Sequence, residues 1–597
     1  MEKVDLATAD IAAENAAKLA ELFPDIVTEV LDEDGNVRHG IDVEALKAHV
    51  GDIAEDKRER YQFTWPGKQR ARAEAIRPIS KTMRPCPEES VNWDTTENLY
   101  IEGDNLDALK ILRETYAGKI KMIYIDPPYN TGHDFVYNDS FARTAEEERA
   151  ESGAFDEEGN VLDAAYNENK ESNGRFHSDW CSMMYPRLVL ARDLLSDDGS
   201  IFVSIDCNET DALRRMMSEI FGEGNFQREI IWRIGWLSGY KTMANNFIRN
   251  HDSILFYSKS SDCMDFIKLY IQNKDFKPLV KKTPALTSKL ESFGIGKSKH
   301  EQLLRFINHE NRPEKYPLED TWNCNEYDDL NSIAIVSFSG EKISKQLGIA
   351  QDFTGQKSIA MLKRCIESTV RQDDLVLDFF SGTGSTAHAV MQLNAEDGGN
   401  RKFIMVQLPE VCDEKSEAAK AGYRNICEIG KERIRRAGAK IAAEVEESNA
   451  QLKLGEEPKK VPDIGFRVLK IDSSNFEDVK RTPDAIQQDQ LSGLADNLKT
   501  DRTPEDILFQ LFPQFQIPYT ASVEKLDICG KAVYSVDGDA LLACFDREVS
   551  EDVIRAMAER EPSRAVLRDA SFVGDDALAN FEEIFKTLSP ETETKVV

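Results

Sequence analysis

Two short segments constrain this fold more than anything else in the chain: Ile123-Tyr124-Ile125-Asp126-Pro127-Pro128-Tyr129-Asn130 and Leu377-Asp378-Phe379-Phe380-Ser381-Gly382-Thr383-Gly384-Ser385. In each, an apolar run of strand length ends near an aspartate and passes into turn residues, as a buried strand feeding a loop would. The first loop is stiff. Two prolines fix φ and remove two N–H donors, so the strand exit presents acceptors together with the aromatic face of Tyr129. The second is pliant, because Gly382 and Gly384 let the backbone bend tightly and let a bound molecule come close to it.

Around these segments runs the strand–helix–strand rhythm of a doubly wound sheet. Leu99-Tyr100-Ile101 reads as a strand, 105–115 as a helix capped at Asn105, and Ile120–Ile125 as the next strand. A helix over 179–195 carries Trp180, Met183, Met184, Leu188 and Leu195 on its apolar face and ends at Gly199 in a left-handed cap. Strand Ser200–Ile205, helix Asn208–Phe221 and strand His251–Tyr257 follow. The rhythm lapses over 261–345, then resumes with helix 357–369, strand Leu375–Phe379, helix 386–394, strand Phe403–Gln407 and helix 417–444.

At 597 residues the chain is too long for one ordinary core. The expected division is a helical N-terminal segment at 1–60, a first α/β half at 61–260, an insert at 261–345 and a second α/β half at 346–444. A Glu-, Lys- and Pro-rich linker at 445–463 and a C-terminal α+β domain at 464–597 complete it. No apolar run is long enough to cross a bilayer, the N-terminus lacks a secretory apolar region, and the ten cysteines form no CxxC pair. The expectation is a cytoplasmic protein with neither a disulfide framework nor a metal site.

The formal charge of -32 opposes nucleic-acid binding as a bulk property. A basic footprint is local, however, and cationic residues gather at 68–84 (Lys68, Arg70, Arg72, Arg77, Lys81, Arg84) and at 274–300 (Lys274, Lys277, Lys281, Lys282, Lys289, Lys297, Lys299). Salt-sensitive DNA binding through such patches is the expectation. Gly294-Ile295-Gly296-Lys297-Ser298 is not a phosphate loop, since Glu291 stands where the first glycine is needed and no strand precedes it.

The chemistry of the two loops points to methyl transfer onto a conjugated exocyclic amine. The lone pair of such an amine is delocalised into its ring. Asp126 and the Pro127 carbonyl can accept its two hydrogens and bias the nitrogen towards sp³, while Tyr129 stacks on a base extruded from the duplex. Beside the glycine turn, Asp378 is placed to meet the amino-acid end of a cofactor. Glu410, past the next strand, is placed to accept two ribose hydroxyls. The run Gly382-Thr383-Gly384-Ser385-Thr386-Ala387 is not a nicotinamide fingerprint. S-adenosylmethionine is the better fit.

In the order of these motifs the chain resembles the modification subunits of type III restriction–modification systems, β-class adenine-N6 methyltransferases. Other stretches that carry the likeness are Glu97-Asn98-Leu99-Tyr100-Ile101-Glu102-Gly103-Asp104-Asn105, Met184-Tyr185-Pro186-Arg187-Leu188 and His251–Lys259. The resemblance implies a circularly permuted Rossmann-like methyltransferase with an inserted target-recognition domain. It implies Asp126, Pro127, Pro128 and Tyr129 as the catalytic loop. For the cofactor it implies Asp378, Phe379, Gly382, Gly384 and Glu410, with Asp104 and Asn105 at the adenine side unless they only cap a helix. Phe353 and Lys357 fall where the family has a Pro-Lys-Pro-like stretch, here Phe353-Thr354-Gly355-Gln356-Lys357-Ser358. A homodimer acting on double-stranded DNA with a helicase–nuclease partner is implied as well, the C-terminal domain serving dimerisation or partner capture. A solitary adenine methyltransferase, or one acting on RNA or protein amines, remains an alternative.

Overall fold

The computed structural model describes residues 6–31, 37–43, 45–46, 63–131, 135–137, 166–168, 176–233, 247, 249–322, 357–412, 417–452, 457–477, 498–572 and 575–597. Ten strands form its main sheet: β1 (Thr82–Pro85), β2 (Leu99–Glu102), β3 (Ile120–Ile125), β4 (Leu195–Ile205), β5 (Phe226–Arg233), β6 (His251–Ser258), β7 (Thr321–Trp322), β8 (Leu375–Asp378), β9 (Lys402–Gln407) and β10 (Arg467–Asp472). They lie in the order β7-β5-β6-β4-β3-β8-β9-β2-β10-β1. β6 runs antiparallel to both neighbours and β1 antiparallel to β10; the other pairings are parallel. Every residue of β2 and β3 is buried, because helices cover both faces of a central parallel strand; this is why those segments read as unbroken runs rather than alternating ones.

Chain order and sheet order differ, and the difference positions the site. β3 lies against β8, with Leu377 opposite Ile123, although the two are far apart in sequence. From β3 the chain passes through α2 (Phe176–Leu194) to β4 on one side; from β8 it passes through α5 (Ser385–Asp397) to β9 on the other. Other helices over this sheet include α1 (Asn105–Tyr116), α3 (Thr210–Phe221), α4 (Ile359–Thr369) and α6 (Ile426–Ala450). Neighbouring strands whose connections depart in opposite directions leave a crevice at their carboxyl ends. The fold is the permuted Rossmann-like one expected, with the switch point between β3 and β8.

Several boundaries differ from expectation. Val27–Leu31 and Val37–Ile41 form an antiparallel strand pair, Val27 opposite Ile41, within a segment expected to be helical; their valines suit a pleat better than a helix. Gly199 ends no helix. It lies inside β4, where a Cβ would sit 2.9 Å from the Ile120 carbonyl oxygen, so it serves close backbone approach. The helix expected over 417–444 is two: Glu417–Lys420, then α6, capped by the Asn425 side chain and separated by left-handed Gly422. α6 also carries the helix through to Ala450, into the expected linker.

The largest correction is at the C-terminal boundary. β10 belongs to the main sheet, pairing in parallel with β2, and Phe466 and Val468 pack into its core. The expected boundary at 464 therefore cuts a sheet. Beyond it, strands Val523–Ile528, Lys531–Val536, Leu541–Cys544, Arg564–Leu567 and Glu593–Val596 form a second sheet. One face joins the core of the main body through Tyr534, Val536, Leu541 and Ala543; the other packs helices Glu551–Ala558 and Asp575–Leu588. Phe466, Val468, Leu469, Phe509, Leu511, Phe512, Phe581, Ile584 and Phe585 are all buried in this way. They make internal core and offer no docking face.

Candidate active site

Both loops emerge at the carboxyl edge of the switch point. Past β3, the indole N–H of Trp180 donates to the Pro128 carbonyl at 2.7 Å. Asn130 adopts a left-handed backbone (φ 59°) and its amide donates to Glu209 Oε1 at 2.6 Å. Glu209 is almost fully buried and also meets His177 Nδ1 at 2.5 Å. Burial lifts the Glu209 carboxyl above its ordinary range, and the Asn130 and His177 contacts oppose that rise. Prolines at one end and a buried carboxylate at the other thus hold Asp126 and Tyr129 in place.

The Asp126 carboxylate is half-buried. Lys357 Nζ stands 3.0 Å from its Oδ1 and donates to the Tyr129 hydroxyl at 2.6 Å. Burial pushes the Asp126 carboxyl above the usual carboxylate range, and Lys357 counters it. Burial likewise holds the Tyr129 phenol well above its usual range.

Past β8 the aspartate serves the loop itself. Asp378 Oδ1 accepts the Phe380 N–H at 3.1 Å and Oδ2 accepts the Thr386 hydroxyl at 2.6 Å. Burial raises this carboxyl to about 7, against the two hydrogen bonds and with a smaller push from Asp126. The turn needs both glycines, at φ 51° for Gly382 and 75° for Gly384. A Cβ on Gly384 would stand 3.0 Å from Ile434 of α6, whereas one on Gly382 would meet nothing within 4 Å. The Gly382 N–H donates to Gln407 Oε1 at 2.7 Å, tying the turn to the end of β9. Glu410 follows β9; its carboxylate has no hydrogen bond or ion pair among the described residues, and burial alone raises it.

The remaining expected residues separate. Asp104, not Asn105, caps α1, accepting from the Leu106 N–H at 2.8 Å. Asn105 is buried, and its amide donates to the Phe379 carbonyl at 2.8 Å while its oxygen accepts from Arg187 Nε at 2.5 Å. The Phe379 ring is wholly in the core. These three brace the two halves of the sheet against each other. Phe353 lies outside the described residues.

An open glycine cradle, an unspent half-buried carboxylate one strand further, and a rigid acceptor loop across the crevice fit a nucleoside cofactor facing an amine. The DNA methylase family profile matches residues 120–436, from β3 into α6. The chain belongs to this family. It is 33% identical over 502 residues to the Mod subunit of the type III restriction-modification enzyme StyLTI of Salmonella typhimurium, covering 74% of this chain and 73% of that one. It is 31% identical over 461 residues to the EcoP15I Mod subunit of Escherichia coli, covering 64% and 70%. A solved structure, the M1.HpyAVI-SAM complex, aligns over 56% of this chain and 98% of that one at 13% identity and TM-score 0.28. As a DNA methylase the protein takes its methyl group from S-adenosylmethionine.

Sequence reasoning did not assign the braces of this methylase. Trp180 read as one more apolar residue on α2, yet its N–H secures Pro128. Arg187 entered only as one residue of a family-like stretch and Glu209 gave no local signal, because charged residues are common and only the fold buries these two.

Proposed function

We propose that this methylase modifies the N6 amine of an adenine extruded from duplex DNA, as the modification subunit of a type III restriction–modification system. The observation that carries the reading is the pairing of β3 with β8, which sets the stiff acceptor loop beside the glycine cradle. Asp126 and the Pro127 carbonyl accept the two amine hydrogens, and Tyr129 stacks on the base. Gly382 and Gly384 admit the cofactor to the backbone, and Glu410 accepts its ribose hydroxyls. When bound, S-adenosylmethionine supplies a sulfonium-activated methyl group and leaves as a thioether. Positioning and desolvation are what the protein adds.

The insert at 261–345 is proposed as the recognition element. In its described part Lys274, Lys281, Lys282, Lys289, Lys297 and Lys299 are exposed, as phosphate contacts require despite the overall acidity. A homodimer and a helicase–nuclease partner are proposed from the resemblance to type III modification subunits, as is a cytoplasmic location. No helix among the described residues is long and apolar enough to cross a membrane.

The test is nucleoside analysis after incubation with labelled S-adenosylmethionine and unmethylated genomic DNA. Label in N6-methyldeoxyadenosine is expected. Label in N4-methyldeoxycytidine, or transfer to RNA in preference to duplex DNA, would overturn the adenine reading. Retained activity with no helicase–nuclease encoded nearby would favour the solitary form.

A further inference from the structure

Lys357 immediately precedes Ser358, the N-cap of α4, whose hydroxyl accepts from the Met361 N–H, so its backbone is anchored beside the switch point. From there its side chain reaches across to the Asp-Pro-Pro-Tyr loop, with Nζ 3.0 Å from Asp126 Oδ1 and a hydrogen bond of 2.6 Å to the Tyr129 hydroxyl. The ammonium is well shielded, the side chain being 17% exposed. Asp126 Oδ1 is fully enclosed, so the ammonium neighbours it where solvent does not reach.

The other groups that face Asp126 are Tyr124 within β3, Tyr129 in its own loop, Asp378 at the end of β8 and Asp252 in β6. Both carboxylates disfavour a third negative charge, although Arg249 pairs with Asp252 and Asp206. A cation in contact is what permits Asp126 to remain an anion in such surroundings.

Resting on the reading that Asp126 accepts the target amine, we infer that Lys357 is a positioning residue of the reaction. Its ammonium holds Asp126 Oδ1 and the Tyr129 hydroxyl together, so that Oδ2 is left for an amine hydrogen and the tyrosine ring is fixed for stacking. This removes Lys357 from the cofactor set and gives it to the catalytic loop. The ammonium itself touches neither the base nor the methyl group.

Single-turnover methylation of unmethylated genomic DNA by the full chain tests this, measured from pH 5 to 9 for wild type, K357R, K357M and K357Q. Loss of the neighbouring cation leaves Asp126 protonated to higher pH. The acid limb of the rate profile in K357M should therefore move up by about 1–3 pH units. The rate on its plateau should fall roughly a hundredfold, as for a misplaced reacting group. K357R should restore the wild-type limb, and calorimetry should give K357M and wild type the same cofactor affinity. An unmoved limb, or weakened cofactor binding, in K357M overturns the inference and returns Lys357 to the cofactor pocket. K357Q, polar and of similar length, must repeat the K357M limb; a wild-type limb in K357Q overturns it equally, even where K357M fails to fold. Wild type that makes no N6-methyladenine would instead overturn the proposed function.

Discussion

The loops after β3 and β8 leave adjacent parallel strands and each carries an aspartate at its start, yet the two carboxylates are spent in opposite ways. Asp378 gives both oxygens to its own turn, to the Phe380 N–H and the Thr386 hydroxyl. Asp126 accepts no backbone N–H of its loop among the described residues; its carboxylate faces the Lys357 ammonium and the Tyr129 hydroxyl. The prolines explain the contrast. They set φ covalently and carry no N–H, so the first loop has no amide to offer its own aspartate at those positions, and it is braced instead by Trp180 and Glu209 from outside. Glycines leave the second loop floppy, and its aspartate must build it. The lesson is a division of labour: a loop stiffened by prolines and braced by its neighbours leaves its acid unspent on the backbone, while a flexible one consumes its acid in shaping the turn.

The largest loss is expected on replacing Asp126. D126A should lower methyl incorporation by roughly 10²–10³, the usual effect of deleting one preorganised electrostatic partner. Near-wild-type incorporation of labelled methyl would contradict the role given to its free oxygen.

On the cofactor side, E410A should weaken S-adenosylmethionine binding by about 1.5–3 kcal/mol for each charge-assisted bond lost. Burial raises this carboxyl and ribose binding needs the anion, so wild-type affinity should fall as pH drops through that raised value. Calorimetry of both proteins across pH checks this, and an affinity indifferent to both changes would dismiss Glu410 as the ribose acceptor.

Tyr129 sharpens the contrast further. Y129A should lose about 1–3 kcal/mol of base stacking in single-turnover rate. Y129F keeps the ring and loses the Lys357 hydrogen bond, so its defect should be about 0.5–1.5 kcal/mol. Equal defects would mean that the hydroxyl matters more than the ring.

The smallest effect is expected at Asp378, raised in the fold to about 7 from 3.8. Between those values the folded state holds a proton that the unfolded state has released. Asp378 therefore costs stability progressively as pH rises through the window, and no further above it. D378N lacks this slope, so its melting temperature relative to wild type should climb from pH 5 to pH 8. A constant difference would show that the carboxyl titrates normally.

Much of this division was legible in the residues. Central parallel strands are buried on both faces, so β3 and β8 announced themselves as unbroken apolar runs, and Pro-Pro and Gly-x-Gly declared their loops stiff and pliant. Where two adjacent residues were both good caps, Asp104 and Asn105, only the register of α1 decided between them. β10 was hidden because a polar, proline-containing stretch precedes it, and strand pairing with β2 is settled in space rather than locally. The contact between Lys357 and Asp126 spans most of the methylase region, and no pattern marks which lysine of many a buried acid will meet. Pattern reports local geometry and burial; it does not report which distant charges share an enclosure.

On the function proposed, the β3 loop serves the target and the β8 loop serves the cofactor. Calorimetric titration of D126A with S-adenosylmethionine tests it most directly, in parallel with labelled methyl transfer to unmethylated genomic DNA. The account predicts wild-type cofactor affinity with transfer all but lost. Cofactor binding that collapses along with transfer would contradict it, placing Asp126 in the cradle that Gly382, Gly384 and Glu410 are held to form.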